Sequence, residues 1–197
     1  MSDDETPEEL AGQPVISFAT VSDCEAWFAE HHSDHRGFWL KIGKVGAAET
    51  VSYPEALEVA LCHGWIDGQK RGYDETYWLQ RFTPRGPRSK WSQTNRDKVE
   101  ALIKSGRMRP TGQAQVDAAK ADGRWAAAYA GQKSATVPDD LAAALAADPQ
   151  ARAFFETLNG ANRYALLYRV HDAKKPETRA ARIAKFVEMC HNHETVH

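Results

Sequence analysis

The sequence has little of what marks membrane and secreted proteins. No window approaches the roughly eighteen consecutive apolar residues of a membrane-spanning helix. The N-terminal stretch MSDDETPEEL is acidic and polar, unlike the basic and then apolar start of a secretory signal. The three cysteines, Cys24, Cys62 and Cys190, are far apart and show no C-x-x-C spacing, which argues against a disulfide framework. We therefore expect a cytoplasmic protein with no membrane insertion.

Familiar catalytic and metal-binding motifs are also absent. The chain contains no G-x-S-x-G, no phosphate-binding glycine loop and no H-E-x-x-H. The histidines at 31–35 and the tail 190–197 offer metal-type side chains without the spacing of a known site. Cys62 directly precedes His63 at the apolar end of a predicted helix, which indicates a core cysteine rather than a nucleophile. We predict no catalytic residue, no metal and no cofactor.

Length and periodicity predict the fold class. The 197 residues, 42% of them hydrophobic, suffice for one large domain or two small ones. Alternating patterns predict strands at 37–44, 65–70 and 76–83, the last two as an antiparallel hairpin. Capping boxes at Ser22 and Ser52 predict two helices in the first half. We predict an α+β, predominantly helical fold: a small antiparallel sheet of about three to four strands with packed helices, followed by a helical C-terminal region.

Changes of composition along the chain predict its domain boundaries. Residues 1–13 are predicted to form a disordered acidic tail. Residues 14–130 form the predicted α+β domain, and residues 131–137 the predicted linker. The remaining stretch, 138–197, is predicted to be a helical region in which prolines mark the starts of helices.

Positive charge is concentrated in the middle of the chain. Residues 66–109 contain eleven Lys or Arg and five Asp or Glu, a balance of +6, whereas the whole chain carries −2. Three tryptophans, Trp65, Trp78 and Trp91, lie in or beside this stretch. Segregation of charge with interleaved aromatics is typical of a surface that meets an anionic partner.

The predicted hairpin and the loop after it suggest how these side chains converge. Alternation along the strands places Asp67 and Arg81 where they could form an ion pair across the hairpin. The following loop carries Arg85 and Arg88, and a guanidinium group suits carboxylate or phosphate. With tryptophans as flat apolar walls, the arrangement predicts a pocket for a small anion. The alternative is that the tryptophans are core and the arginines solvated or paired. The predicted ligand-binding residues are Trp65, Asp67, Gln69, Lys70, Arg81, Arg85, Arg88, Trp91 and Asn95.

Several strings along the chain resemble one family. They are GWIDGQKR, YWLQRFTPR, SKWSQTN, GRMRPTG, AKADGRW and AKKPETRAARIAKFV. Together they resemble the YdeI/OmpD-associated (OmdA) family, also labelled bacteriocin-protection proteins, over residues 14–194. The resemblance implies an N-terminal half similar to the YjbR/CyaY-like superfamily and a helical OmdA-like C-terminal region. It implies no catalytic residue, and the basic central segment argues against the iron of the frataxin branch.

The combined expectation is a non-catalytic protein that binds a small anionic ligand or an acidic peptide in stress or bacteriocin resistance. One alternative is a nucleic-acid-binding protein, in which the central cations and a second basic run at 174–185 form one stripe. Another is an enzyme that uses His63 or Asp67 as acid or base. The sequence makes no prediction of the oligomeric state.

Overall fold

The structure is a computed structural model that describes residues 8–33 and 36–197. The chain forms two compact units, one of Met1–Trp91 and Asn95–Ala127, the other of Ser92–Thr94 and Ala128–His197. The elements in chain order are β1 (Glu9–Leu10), β2 (Gln13–Ile16), α1 (Val21–His31), β3 (Phe38–Gly43), α2 (Tyr53–Cys62), β4 (Trp65–Gly72), β5 (Tyr77–Pro84), α3 (Gln93–Lys104), α4 (Pro110–Ala121), α5 (Asp139–Ala146), α6 (Pro149–Thr157), α7 (Gly160–His171) and α8 (Pro176–His191).

The described strands form one five-stranded sheet in the order β1-β2-β3-β5-β4. The hairpin predicted from alternation is present as β4 and β5, which pair antiparallel. β2 and β3 run parallel with α1 between them in the chain, since parallel neighbours need a crossover connection. The α+β, mostly helical fold class is confirmed. The sheet is mixed and has five strands, whereas we predicted three to four antiparallel ones.

The extra strand β1 and the first residue of β2 lie in the region that composition assigned to a disordered tail. That prediction is wrong for residues 9–13, where β1 and the start of β2 pair with each other. Ala11 and Gly12 both have positive φ and make the tight turn between the two strands. A two-residue strand in an acidic segment has too few apolar residues to give a periodic signal. Residues 1–7 lie outside the described part of the chain.

Helices α1 and α2 pack against the sheet and bury the core of the first unit. Their start signals are local: Ser52 and Glu55 form the predicted capping box of α2. The capping box of α1 uses Thr20 and Asp23 rather than Ser22. The most buried large side chains of this core include Phe28, Phe38, Leu40, Leu61, Trp65, Leu79 and Phe82.

A close contact positions α4 against the end of α2. Gly112 on α4 approaches the carbonyl of Cys62 so closely that a Cβ at this position would collide with that oxygen and with Met108 Sδ. Gly64 follows the end of α2 and has a φ of 80°, a conformation that favours glycine. Only glycine at 112 permits this approach of the two helices.

The second unit is a helical assembly with its own core. Asp148 caps α6 at Pro149 and Asn159 caps α7, each by accepting a hydrogen bond from a backbone N–H of the first turn. Residues 131–137 contain no helix or strand. The shared core of α5–α8 is formed by Leu141, Leu145, Ala151, Phe155, Leu166, Leu167, Val170, Ile183, Phe186 and Cys190. Among the helices of the described residues, none has both the length and the apolar character needed to cross a membrane.

Candidate functional site

Trp65 belongs to the aromatic core of the first unit. Its side chain is 1% exposed, and its ring centroid lies 5.3 Å from that of Phe28 and 6.0 Å from that of Phe38. Its Nε1 donates to the carbonyl oxygen of His32 at 3.0 Å. Because its ring is buried and its N–H group already has an acceptor, the Trp65 side chain is not available to contact a ligand. The prediction that this indole lines an open site is wrong.

The predicted ion pair between Asp67 and Arg81 is also wrong. Asp67 lies opposite Phe82, the neighbour of Arg81, and successive residues of a strand point to opposite faces. Asp67 Oδ2 accepts a hydrogen bond from Tyr53 Oη at 2.8 Å. Arg81 Nε donates to Gln13 Oε1 at 2.8 Å. Burial, and secondly the Asp67 charge, raises the pKa of Tyr53, so the phenol stays protonated and remains the donor.

Gln69 and Lys70 lie on an exposed, bulged part of β4. The pairing with β5 is irregular between Asp67 and Lys70, and the buried Gln80 Nε2 donates to the carbonyls of Gly68 and Gln69 at 3.0 and 3.2 Å. Lys70 Nζ lies 4.2 Å from the ring centroid of Trp78. Its register partner is Gln80, four residues before Pro84 on β5, or about 13 Å along the strand. Lys70 is thus separated from the loop that follows β5.

The loop after β5 does bring Arg85 and Trp91 together. Arg85 is 5% exposed, and its Cζ lies 3.5 Å from the ring centroid of Trp91, as in a close cation–π contact. Arg85 Nη1 donates to the carbonyl of Lys90 at 3.2 Å. We predicted that the Trp91 indole lines an open site, but the side chain is only 2% exposed. Arg88, in the same loop, is exposed.

Residues beyond the predicted set complete a cluster around this indole. Trp125 packs against Trp91 with ring centroids 4.8 Å apart. Lys120 Nζ lies 5.3 Å from the Trp125 centroid. Arg124 Nη1 donates to the carbonyl of Ser89 at 3.0 Å. Arg96 Nη1 donates to the carbonyl of Trp125 at 3.5 Å. We define the indole–cation cluster as Arg85, Trp91, Arg96, Lys120, Arg124 and Trp125.

The indole–cation cluster contains buried donors without an acceptor in the described part of the chain. Trp91 Nε1 and Arg96 Nε are both inaccessible to solvent, and neither has a hydrogen-bond partner among the described residues. Such donors are rare in folded proteins, and a bound water or ion is one of the arrangements that satisfies them. Trp39 Nε1, on the sheet, is a further donor of this kind. Asn95, the last of the predicted site residues, is half-buried beside Arg96 in the first turn of α3.

The sequence contained a signal for the missed residues. The string AKADGRW includes Lys120, Arg124 and Trp125, so a tryptophan again stands next to cations. It lies beyond the basic stretch 66–109, and only folding brings it to the loop 85–91. A count of charge along the chain does not detect such a long-range pairing.

Family comparisons identify both parts of the chain. Residues 16–115 match the family model described as Domain of unknown function (DUF8412), which is just over half of the 197 residues. The chain belongs to this family. Residues 134–193 match a second family model, described as Bacteriocin-protection, YdeI or OmpD-Associated. Residues 134–193 are thus similar to the YdeI/OmpD-associated family that the sequence motifs indicated, and the YjbR/CyaY-like resemblance stays a prediction. No curated protein and no solved structure matches the chain.

His63 is held as a neutral ring next to the aromatic core. Its ring is stacked on Phe28 at 5.6 Å and lies 5.9 Å from His32. Burial, then the charges of His32 and Arg109, lowers the pKa of His63 to about 4. Asp67 is bound to Tyr53 instead. The described contacts therefore give the two candidate acid–base groups different partners and do not join them in one site.

Cysteine and metal chemistry have little support in the described residues. Burial raises the pKa of Cys62 and raises that of Cys24 to about 12, so both are thiols at neutral pH. No group of three His, Cys, Asp or Glu in the described part of the chain is arranged to hold a metal ion.

The second basic run at 174–185 includes Arg179, which forms an ion pair with Asp140. Its Nε and Nη2 donate hydrogen bonds to the Asp140 carboxylate at 2.6 and 2.8 Å.

Proposed function

We propose that this protein is a non-catalytic binding protein that holds an oxyanion at the indole–cation cluster. The oxyanion is the carboxylate or phosphate of a small ligand or of an acidic partner. The observation that carries this proposal is the pair of buried donors, Trp91 Nε1 and Arg96 Nε, which lack acceptors among the described residues. Both side chains contact Trp125 and lie among cations.

The energetic argument rests on the cost of an unpaired buried donor. Leaving a buried N–H without an acceptor costs roughly 1–3 kcal/mol. Anionic oxygens are the strongest acceptors for indole and guanidinium donors. An oxyanion that accepted hydrogen bonds from both Trp91 Nε1 and Arg96 Nε would remove this cost and contribute it to the binding free energy.

The charge around the donors favours an anion over a neutral acceptor. Arg124 is neutralised in part by Asp122, whose Oδ2 lies 2.7 Å from its Nε. Arg96 and Lys120 form no ion pair with any described residue, so positive charge remains in excess. The Arg85 guanidinium is buried against the face of Trp91, so little water screens its charge, which strengthens the attraction for an anion.

The biological setting belongs to the same proposal. One matching family model carries the description bacteriocin-protection. We propose that the protein acts in the cytoplasm and contributes to bacteriocin or stress resistance by sequestering or sensing its anionic ligand. The sequence hypothesis of anion binding is thereby kept, with its location moved from the hairpin face to the loop 85–91 and the end of α4.

The test is ligand-dependent thermal unfolding of the full chain with phosphate, sulfate, acetate and citrate at constant ionic strength. A ligand that binds only the folded protein adds about 2.7 kcal/mol at a hundredfold excess over its Kd. Sulfate and phosphate also stabilise proteins without binding, so a variant must provide the reference. Arg96→Lys retains the charge but removes Nε, and we expect it to weaken binding by about tenfold or more.

The matched control is Arg81→Ala, because Arg81 binds Gln13 on the sheet and is absent from the indole–cation cluster. Its stabilisation by each anion should equal that of the unchanged protein. Equal stabilisation of the Arg96→Lys variant would show that the anions act without the cluster and would contradict the proposal. Binding of nucleic acid with a steep salt dependence, again unaffected by Arg96→Lys, would favour the nucleic-acid alternative.

A further inference from the structure

The second unit contains an aromatic cavity that is separate in composition from the indole–cation cluster. It encloses about 230 Å³ and is lined by Tyr129, Tyr164, Tyr168, Leu167, Pro138 and His171, among others. The described residues that line it include no Lys, Arg, Asp or Glu. Its chemistry therefore differs from that of an anion site.

Helix α7 supplies one wall of the cavity. Tyr164, Leu167, Tyr168 and His171 recur at spacings of three and four residues, so they lie on one face of this helix. The ring centroids of Tyr164 and Tyr168 are 6.1 Å apart. A helix that presents two phenol rings and a leucine to a cavity offers a rigid, mostly apolar surface.

The opposite wall is held in place by hydrogen bonds. Tyr129 lies in a parallel bridge with Ser92, and Gln93 N donates to the Tyr129 carbonyl at 2.8 Å. Tyr164 Oη donates to the carbonyl of Ala130 at 3.0 Å, which joins this segment to α7. A cavity whose walls are already fixed loses little freedom when a ligand enters, and this favours binding.

The phenol rings in the cavity already pack on one another. Tyr129 and Tyr168 meet edge to face at 5.1 Å and 89°. Burial, then the neighbouring phenols Tyr129 and Tyr168, raises the pKa of Tyr164, so the hydroxyl remains protonated at neutral pH. A quaternary ammonium ion is bound by several aromatic faces that surround it. Here Tyr129 and Tyr168 pack edge to face, so part of one ring face is covered by the other ring. A flat ring can still stack on a face or pack against an edge.

We infer that this cavity binds a neutral, single-ring aromatic molecule with one hydrogen-bonding substituent, such as a phenol or an aryl amide. The volume supports the size class, since an apolar cavity of about 150 Å³ accommodates benzene and drug-sized ligands need about 300 Å³ or more. The Tyr164 hydroxyl oxygen keeps acceptor capacity after donating to Ala130, and the half-buried Gln93 amide is a further partner for the substituent.

The inference is tested by calorimetric titration of the full chain with four probes of similar size. Phenol is the neutral aromatic probe, cyclohexanol lacks the aromatic ring, benzoate carries a negative charge, and phenyltrimethylammonium carries a positive charge. We expect phenol to bind at least about tenfold more tightly than each of the other three. Absence of phenol binding, or equal binding of cyclohexanol, overturns the inference, and preference for the cation replaces it with an ammonium site.

Two variants locate the bound probe. Tyr168→Leu removes a ring and should weaken phenol binding about tenfold. Ala130→Leu leaves every ring in place but fills space in the cavity, so it should weaken binding as well. Lys133→Ala, at an exposed position outside the cavity lining, is the control and should leave the affinity unchanged. If Tyr168→Leu does not fold, Ala130→Leu decides, and unchanged phenol affinity in that folded variant places the probe elsewhere.

Discussion

Trp65 and Trp91 are buried to the same degree, at 1% and 2% exposure, yet their surroundings differ in kind. Trp65 packs among aromatic rings and donates to the His32 carbonyl. Trp91 has a guanidinium carbon 3.5 Å from its ring centroid and a donor with no acceptor among the described residues. Burial alone therefore does not separate a structural indole from a candidate binding residue. The contacts of the ring face and of the N–H group do.

The largest expected difference between the two indoles is in stability. Trp65→Ala leaves a large cavity in a well-packed core, and we expect it to lower the free energy of unfolding by about 3–5 kcal/mol. Urea unfolding monitored by hydrogen exchange of β3 and β4 amides measures this effect in the first unit. Trp78→Ala, at a half-buried position, should cost clearly less. A loss below about 1 kcal/mol for Trp65→Ala would contradict the structural role.

The core around Trp65 should also be sensitive to pH through His63. Its pKa is about 4 in the folded protein, against 6.5 for the ordinary group. Protons therefore bind the unfolded chain first as pH falls. The contribution of neutral His63 is full above about pH 6.5 and is lost between pH 6.5 and 4, up to about 3 kcal/mol.

The measurement compares urea unfolding of the protein and of His63→Gln at pH 7.5 and pH 4.5. Carboxylates titrate in both proteins, so the difference between them isolates His63. We expect the variant to lose less stability on acidification. An identical pH dependence would show that His63 titrates normally in the folded state.

Gly112 lies on α4, which also carries Lys120 of the indole–cation cluster. At Gly112 this helix packs against the end of α2, which belongs to the core around Trp65. Gly112→Ala forces a Cβ onto the Cys62 carbonyl, and we expect a loss of about 1–3 kcal/mol. The shift of α4 should also reduce stabilisation by anions, measured by thermal unfolding. Gly72→Ala is the control, since a Cβ there meets no atom within 4 Å. Unchanged anion binding in Gly112→Ala would separate α4 from the site.

The smallest effect concerns the two N–H groups alone. Trp65→Phe leaves the His32 carbonyl without its donor and should cost about 1–2 kcal/mol beyond the loss of ring volume. Trp91→Phe removes a donor that has no acceptor among the described residues, so this part of the cost should be near zero. Urea unfolding of both variants gives the difference. A larger hydrogen-bond cost for Trp91→Phe would mean that its N–H is satisfied in the folded protein.

Much of the fold was predictable because its signals are local. The β4–β5 hairpin, the Ser52 capping box, the Asp148 cap before Pro149 and the helix start at Pro176 involve residues within a few positions of one another. Capping and strand alternation act over these short distances, so sequence patterns report them directly. The short strand β1 was missed because two residues carry no periodicity.

The candidate site was predictable only in part. Arg85, Arg88 and Trp91 share a loop, so their proximity follows from the sequence. Asp67 and Arg81 lie on opposite faces of the sheet because of the register between β4 and β5. That register shifts at an irregularity between Asp67 and Lys70. A shift of one residue reverses the face of every side chain beyond it, and no local pattern specifies where it occurs.

Local sequence thus specifies where helices and strands of this protein begin, and that positive charge and indoles accumulate in its middle third. Tertiary contacts settle the chemical environment of each indole. Trp65 lies among rings brought from residues 27, 28 and 38, whereas Trp91 meets Trp125 and its neighbouring cations from the end of α4. The physical reason is that neighbours distant in the chain determine desolvation and hydrogen-bond satisfaction, and both quantities exist only once the chain has folded.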